Sequence, residues 1–203
     1  VKLLSFDLSL LVPLALLSGT AIFLATRRRA WRQFGRILVG VGLLLLSLQL
    51  IASASEPLRD SSILPIVIDY LSDDVVSAFL IAAVTTWLFH SSVAFILLIV
   101  ALAAQGIVPA ELGIVLVLGA NLGGGVIAAL LSRTMPVPSR TVPFGNLFAR
   151  GIGAALTLTF LVTLKPPLGL LGATPPLQII HAHIAFNIML VALALPLAGS
   201  WAP

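Results

Sequence analysis

The chain has 203 residues, of which 60% are hydrophobic and only 9% are charged, with a mean hydropathy of +1.18. Soluble domains carry about 25% charged residues, so this composition excludes a soluble globular protein and favours one covered by lipid. The formal charge of +4 is too small and too local for nucleic-acid binding, and the lack of Cys excludes disulfides and thiolate metal sites. We therefore predict an all-α integral membrane protein with several passes through the lipid bilayer of the cell (inner) membrane.

The first predicted element is the apolar run Phe6–Ala25, which is about as long as a membrane span. Its length and the arginines after it argue against a cleaved signal peptide. Five arginines follow within ten residues, from Arg27 to Arg36. Such a cluster is typical of a cytoplasmic loop, although it could also bind anionic lipids. We predict that the Arg27–Arg36 loop is cytoplasmic.

A second, shorter span, Ile37–Ala52, leads into an acidic connection, Ser53–Asp74. This connection predicts a solvated outer loop with an amphipathic turn around Pro65–Tyr70. The carboxylates of Asp73 and Asp74 stand just before an apolar helix, where they suit the positive end of its dipole. A vestibule that attracts sodium is the alternative. The charged residues of the connection are Glu56, Arg59, Asp60, Asp69, Asp73 and Asp74.

The third apolar region, Val75–Ala104, is too long for one upright helix and short for two full spans. The polar break Phe89-His90-Ser91-Ser92 falls near its middle. Two half-length helices that meet at this break would form a re-entrant hairpin, and this would keep Arg133, Arg140 and Arg150 on the cytoplasmic side. Two short full crossings would give the same result.

A second polar break, Gly119-Ala120-Asn121-Leu122-Gly123-Gly124-Gly125, interrupts the span Leu112–Leu131. Each glycine disfavours helix by about 1 kcal/mol relative to alanine. We predict a broken helix whose free carbonyls bind sodium and whose amides face an anion. The alternative is close helix packing through small residues. Together the two breaks indicate a solute-transporting membrane protein.

The remaining elements are a proline-rich linker, two spans and the connection between them. His183 and Asn187, in the last span, are four residues apart and share a helical face. They would either hold a packed interface together or face the solute path, and the pair His181 and His183 is a poor metal site on a helix. The predicted ranges are Arg133–Gly145 for the linker, Leu147–Leu164, the outer connection Lys165–Pro176, and Leu177–Leu197.

Four sequence blocks resemble the sodium-dependent phosphate cotransporter family. Residues 86–94 resemble its Gln-Ser-Ser-Ser signature, residues 119–123 its Gly-Ala-Asn-Ile-Gly-Thr-Thr block, and residues 145–150 and 182–187 the segments that close its repeat and its core. Their order and spacing agree, so the resemblance covers roughly Gly35 to Leu197. The chain departs from the family at His90 (for Gln), at Val93 (for the third Ser), and at Gly124 and Gly125 (for two threonines).

The resemblance implies one half of an inverted-repeat transporter, because the family has two inverted copies of this unit and the chain contains one. Residues 1–36 would form an N-terminal helix and basic loop, and residues 37–203 a single transporter repeat with closing helices. The chain would be a fragment, a split transporter that needs a dimer or a first-repeat partner chain, or a degenerate member. Its function would be sodium-coupled secondary transport of inorganic phosphate or a similar small anion. The alternative is a non-transporting membrane scaffold or assembly partner, and an enzyme is not expected.

The resemblance also implies the site, with sodium as coupling ion and no other cofactor. His90 would donate to phosphate or make binding depend on pH, unless it is a buried neutral imidazole bonded to a backbone carbonyl. The predicted phosphate-binding residues are Thr86, His90, Ser91, Ser92, Gly124 and Gly125, the sodium-binding residues are Gly119, Ala120, Asn121 and Gly123, and the supporting residues are Asn146, His183 and Asn187.

Overall fold

The computed structural model describes residues 8–57 and 61–201, and within these ranges it contains helices and turns and no strand. The all-α prediction is confirmed. The chain forms two compact units, Val1–Leu58 and Arg59–Pro203. The boundary predicted after residue 36 lies inside a helix of the first unit. Arg59 and Asp60 of the predicted acidic loop lie outside the described residues.

The first unit contains two helices and the second contains six and a short 3-10 helix, counted over the described residues. Four of these helices are long and apolar enough to cross a membrane, whereas α1, α4 and α5 are shorter apolar helices. The chain is therefore a multi-pass membrane protein. The helices are α1 (Leu8–Ala25), α2 (Arg29–Ser55), α3 (Leu64–Asp73), α4 (Val75–Phe89), α5 (Ser92–Ala104), α6 (Ala110–Ser132), α7 (Val137–Leu164), the 3-10 helix (Leu168–Leu171) and α8 (Pro175–Trp201).

The basic run of the first unit is helical, which corrects the predicted Arg27–Arg36 loop. Only residues 26–28 separate α1 from α2. Arginine is a good helix former, and its charge does not prevent the helix from starting early. The guanidinium groups of Arg32 and Arg36 lie 4.7 and 5.3 Å from the ring centroid of Phe23. These cation–π contacts join the start of α2 to the end of α1.

Helix α6 is the centre of the second unit, and most of its first half is buried. It runs parallel to α4, because Phe79 contacts Gly119 and Ala83, one turn later, contacts Gly123. Helix α5 runs in the opposite direction. It starts with Ser92 against Gly124 and ends just before residues 105–109, which lead into α6. Helices α4 and α5 therefore form an antiparallel hairpin beside α6.

The tip of this hairpin is formed by His90 and Ser91. His90 ends α4 in the left-handed conformation, with φ of 54°. Ser91 caps α5, since its hydroxyl oxygen accepts the amide N–H of Ala94 at 3.2 Å. The predicted break at His-Ser-Ser is confirmed.

The second predicted break is wrong, because α6 continues through residues 119–125 as unbroken helix. Its glycines serve close packing instead, and successive positions point about 100° apart around the helix axis. A methyl group on Gly123 would overlap the carbonyl oxygen of Ala83 in α4, and one on Gly124 would touch Ser92 of α5 at 3.4 Å. One on Gly125 would crowd α7. The three glycines thus let three different helices approach α6.

Helix α7 begins at Val137, so the predicted Arg133–Gly145 linker is only a short turn. Pro138 lies in the first turn, where its missing N–H is not needed, and Pro143 is accommodated inside the helix. Arg150, predicted near the cytoplasmic start of a span, instead lies in the middle of this 28-residue helix. The orientation that the positive-inside rule predicts for the second unit therefore depends on Arg133 and Arg140.

Candidate functional site

The hairpin tip faces a shallow cavity of about 410 Å³ beside α6. Four of the six residues predicted to bind phosphate line this cavity, so the structure brings them together. These four are His90, Ser91, Ser92 and Gly124. The remaining wall is apolar and consists of Val93, Ile127, Ala128 and Leu131.

The His90 ring is exposed, and its Nδ1 lies 2.9 Å from the carbonyl oxygen of Leu88. A carbonyl oxygen can only accept, so Nδ1 carries the proton and donates it. This contact agrees with the alternative of a neutral imidazole bonded to the backbone, except that the ring is not buried. Nε2 is then an acceptor in the neutral ring and a donor in the protonated ring.

Two predicted phosphate-binding residues lie elsewhere. Thr86 is fully buried where α4 packs against α6, and its hydroxyl has no hydrogen-bond partner among the described residues. Gly125 faces α7, where a methyl group would lie 3.2 Å from Cδ of Arg150. The structure therefore separates both residues from the cavity at the tip.

A second group of polar side chains lies between α6, α7 and α8, and we call it the polar cluster. Its members come from the middle of three long apolar helices. Asn121, the member from α6, is only 2% exposed. The polar cluster consists of Asn121, Asn146, Arg150, His183 and Asn187.

Arg150 organises the polar cluster. Its Nη1 donates to Oδ1 of Asn121 at 2.7 Å, and its Nε donates to Oδ1 of Asn146 at 3.2 Å. The Nδ2 of Asn187 also donates to Oδ1 of Asn121, at 3.1 Å. Because a guanidinium can only donate, it fixes which side of the Asn121 amide is oxygen. The amide nitrogen of Asn121 is thereby directed at the carbonyl oxygen of Val117, at 2.9 Å.

Within the described part of the chain, the hydrogen-bond partners of Arg150 are neutral oxygens and not carboxylates. A charged side chain in the middle of a membrane helix is costly and is a mark of function. Guanidinium groups bind phosphate-like anions strongly, through two parallel hydrogen bonds. The cluster therefore has the chemistry of an anion site.

The residues predicted to bind sodium lie in the continuous part of α6. Ala120 is fully buried, and Gly119 and Gly123 pack against α4. Unwound carbonyls are not available there, so that mechanism is wrong. The Oδ1 of Asn121 already accepts from Arg150, whose positive charge would repel a cation at the same oxygen. Sodium binding by these four residues stays a prediction.

Sequence reasoning missed Arg150 as a site residue because it placed Arg150 near the start of the span Leu147–Leu164. The available signal was its position four residues after Asn146, on the same helical face, ahead of a long run without acids. His183 and Asn187, which share a face as predicted, both contact Asn121.

The fold and the site together define an all-helical, multi-pass membrane protein with polar groups built into the middle of its long helices. A family profile described as Na+/Pi-cotransporter matches residues 1–53. The chain is therefore similar to this family over those residues, and the resemblance predicted from the motifs is confirmed. The family is one of transporters and not of enzymes. Its match lies in the first unit, upstream of the four motif blocks.

Curated relatives match almost the whole chain, including the motif blocks. A protein of Escherichia coli K12, with the provisional name inorganic phosphate export protein YjbB, is 32% identical over 195 residues, or 96% of this chain and 36% of its own length. Its Salmonella typhimurium counterpart is 32% identical over 97% of this chain and 36% of its own length. YqeW of Bacillus subtilis is 26% identical over 91% of this chain and 60% of its own length. The chain thus spans about a third of the YjbB proteins, and no solved structure matches it significantly.

Proposed function

We propose that this chain forms part of a membrane transporter for inorganic phosphate or a similar small anion. One observation carries the proposal: the guanidinium of Arg150 lies at the middle of a membrane helix, bonded to neutral amides. The oxygens of an incoming oxyanion would replace these amide oxygens as hydrogen-bond acceptors of Arg150, and the negative charge of the anion would compensate the guanidinium charge. The family description and the names of the YjbB proteins support phosphate as that anion.

The hairpin of α4 and α5 would re-enter the membrane from one face. The two helices contain 15 and 13 residues, about 22 and 20 Å at 1.5 Å per residue, which is short of a hydrocarbon core of about 30 Å. The tip reaches Gly124, near the middle of α6. A hairpin that ends inside the membrane presents its polar turn where a solute would be dehydrated.

The tip and the polar cluster lie at nearly the same level of α6, because Gly124 is one helical turn after Asn121. Arg150 would supply the positive charge that holds the anion at the polar cluster. The hydroxyls of Ser91 and Ser92 and the imidazole of His90 would supply hydrogen bonds to the anion in the cavity at the tip, from which it would move to and from the cluster.

Coupling to sodium is part of the proposal because the family is described as a sodium–phosphate cotransporter. The predicted ligands are Asn121 and its neighbours Gly119, Ala120 and Gly123, and because α6 is unbroken and Arg150 bonds the Asn121 amide, sodium would bind them only after this part of α6 rearranges. The direction of transport is left to measurement, since the family description names cotransport and the YjbB name states export.

A second polypeptide segment would complete the unit. Polar groups that face lipid are costly, and the His90 side chain at the tip is exposed in this chain. A second copy, or a first-repeat segment of the same or another chain, would cover it. We place the basic run Arg27–Arg36 on the cytoplasmic side.

Flux of radiolabelled phosphate into and out of proteoliposomes that contain the full-length protein tests the proposal. We expect flux in the wild type and a reduction of about tenfold or more in Arg150→Gln, since hydrogen bonds to charged groups contribute about 1.5–3 kcal/mol. Arg140→Gln is the matched control, because Arg140 lies in the first turn of α7 and bonds the carbonyl oxygen of Met135.

Replacement of sodium by potassium in the same assay tests the coupling. A wild-type protein that folds in the membrane but neither binds nor moves phosphate would support the scaffold alternative and end the proposal. Equal flux in Arg150→Gln and wild type would remove Arg150 from the site.

A further inference from the structure

His183 is part of the polar cluster, yet phosphate binding by Arg150 does not by itself require a histidine. Its Nδ1 lies 3.1 Å from Nδ2 of Asn121 and 3.2 Å from Nδ2 of Asn187. One ring nitrogen therefore faces two amide NH₂ groups, both of which are donors.

The hydrogen bonds around it fix the state of this imidazole. Arg150 holds Oδ1 of Asn121, so the other side of that amide is its NH₂ group. Asn187 also presents its NH₂ group, because the same nitrogen lies within bonding distance of two oxygens, Oδ1 of Asn121 and the carbonyl of His183. The Nδ1 of His183 must then accept, and a neutral imidazole with an acceptor at Nδ1 has its proton on Nε2.

Arg150 is the one charged side chain that faces His183 in the described part of the chain. Helix α5 and the 3-10 helix, which also pack against α8, contain no titratable residue, and Glu111 and Arg133 lie at the two ends of α6. A proton on Nδ1 would oppose two N–H donors and add a second positive charge. The hydrogen bonds and the charge of the polar cluster therefore keep His183 neutral.

We propose that His183 takes up a proton from the aqueous phase when an anion binds Arg150, so that the anion and the proton bind as a pair. This inference rests on the proposed function. The oxygens of the anion take over the N–H donors of Arg150 that now hold Asn121. The released Asn121 amide turns over and presents Oδ1 to Nδ1 of His183, which then carries the proton and donates it. The NH₂ group of Asn121, which now donates to the carbonyl oxygen of Val117, then donates to the anion, and Asn187 keeps its hydrogen bond to the carbonyl oxygen of His183.

The charges support this pairing. An anion at Arg150 cancels the field that opposes a charged imidazole, and the amide that turns over replaces a donor by an acceptor. A binding equilibrium is reciprocal, so protonation of His183 favours the anion by the same factor. With one proton linked, the affinity for the anion changes by at most about tenfold per pH unit, and it falls as the pH rises.

Two variants isolate His183. In His183→Asn the amide oxygen takes the place of Nδ1 and keeps an acceptor for Asn121, but the side chain no longer titrates. His181→Asn is the matched control, because His181 is two residues away on another face and bonds the carbonyl oxygen of Leu171. All proteins are full length and in detergent or nanodiscs.

Binding of radiolabelled phosphate is measured from about pH 5 to about pH 8, where histidine changes its charge. Phosphate titrates in the same range for every variant, so the ratio of wild-type to His183→Asn affinity isolates the histidine. We expect this ratio to fall by about tenfold or more across the range, while the ratio of wild type to His181→Asn stays constant. A constant ratio for His183→Asn would overturn the inference and leave phosphate binding intact. Absence of wild-type binding would overturn the proposed function and the inference with it.

Nitrogen-15 chemical shifts of the His183 ring provide a second test of the inference, and this test does not depend on transport. Without anion at neutral pH, we expect the neutral tautomer with the proton on Nε2, and saturating phosphate should convert it to the protonated ring. A proton on Nδ1 without anion, or an unchanged ring in the phosphate-bound protein, would contradict the proposed exchange.

Discussion

Gly123 of α6 and Ala83 of α4 are so close that a methyl group on Gly123 would overlap the carbonyl oxygen of Ala83. The same methyl group would lie 2.9 Å from Cβ of Thr86, so neither neighbour can yield by a simple side-chain rotation. We expect Gly123→Ala to lower the free energy of unfolding by about 1–3 kcal/mol, as overpacking of a well-packed interior does. Denaturant or thermal unfolding in detergent would measure this loss.

Gly151→Ala is the control for this prediction, because a methyl group on Gly151 would meet only Cδ1 of Leu122, at an ordinary 3.7 Å. Its better helix propensity should leave stability unchanged or raise it by up to about 1 kcal/mol. If both variants lost stability equally, α4 and α6 would not be in the close contact described.

The hairpin tip was predictable from sequence because its signals are local. A Ser at an N-cap position and a polar residue that tolerates the left-handed conformation can be identified within a few residues. The helical class was equally predictable, since composition alone requires lipid around the chain. These features do not depend on which other helices lie nearby.

The glycine run and Arg150 were interpreted wrongly because their roles depend on tertiary packing. Three consecutive glycines weaken a helix in isolation, but Gly123, Gly124 and Gly125 each face a different neighbouring helix. Likewise, the prolines before Arg150 predict a linker, although α7 already begins at Val137. Packing on three sides overrides local propensity, and that packing cannot be deduced from a window of sequence.

Asp74 should make the first turn of α4 sensitive to acid. The side chain and backbone of Ser77 donate hydrogen bonds to its carboxylate, at 2.5 and 3.0 Å, and they hold its pKa below the usual value. A lowered folded pKa contributes stability that is present above the unfolded value of about 3.9 and is lost as the pH falls through the folded pKa. We expect the Ser77 amide to exchange faster with solvent below that pH.

Asp74→Asn provides the comparison, since an amide oxygen can still accept from Ser77 but does not titrate in this range. Its amide exchange should show no transition in acid beyond that of the exchange chemistry, whereas Asp73→Asn should keep the wild-type transition. The same transition in wild type and Asp74→Asn would assign it to another carboxylate.

His90 is strained as well as exposed, because it adopts the left-handed conformation with φ of 54° and ψ of 22°. That conformation costs a residue with a Cβ about 1–2 kcal/mol and costs glycine little. We expect His90→Gly to raise the free energy of unfolding by about 1 kcal/mol, and His90→Val to lower it, because β-branched side chains tolerate the conformation least. Thermal unfolding of the two variants in detergent would rank them on either side of the wild type, and the reverse order would show that the tip is not built as described.

Thr86 buries a hydroxyl at the contact between α4 and α6, and in the part of the chain that the structure describes this hydroxyl has no hydrogen-bond partner. A buried polar group without a partner costs about 1–3 kcal/mol, so Thr86→Val, which keeps the shape and removes the hydroxyl, should raise the free energy of unfolding by about 1 kcal/mol. Thr157→Val is the matched control, because the hydroxyl of Thr157 donates to the carbonyl oxygen of Gly153 at 2.8 Å and its loss should lower stability slightly. Equal losses in both variants would show that the Thr86 hydroxyl has a partner after all.

Phosphate flux in the stabilised Thr86→Val variant then tests the predicted role of Thr86 in phosphate binding. Full flux would make Thr86 a packing residue, whereas a more stable protein that moves no phosphate would show that the hydroxyl binds the solute.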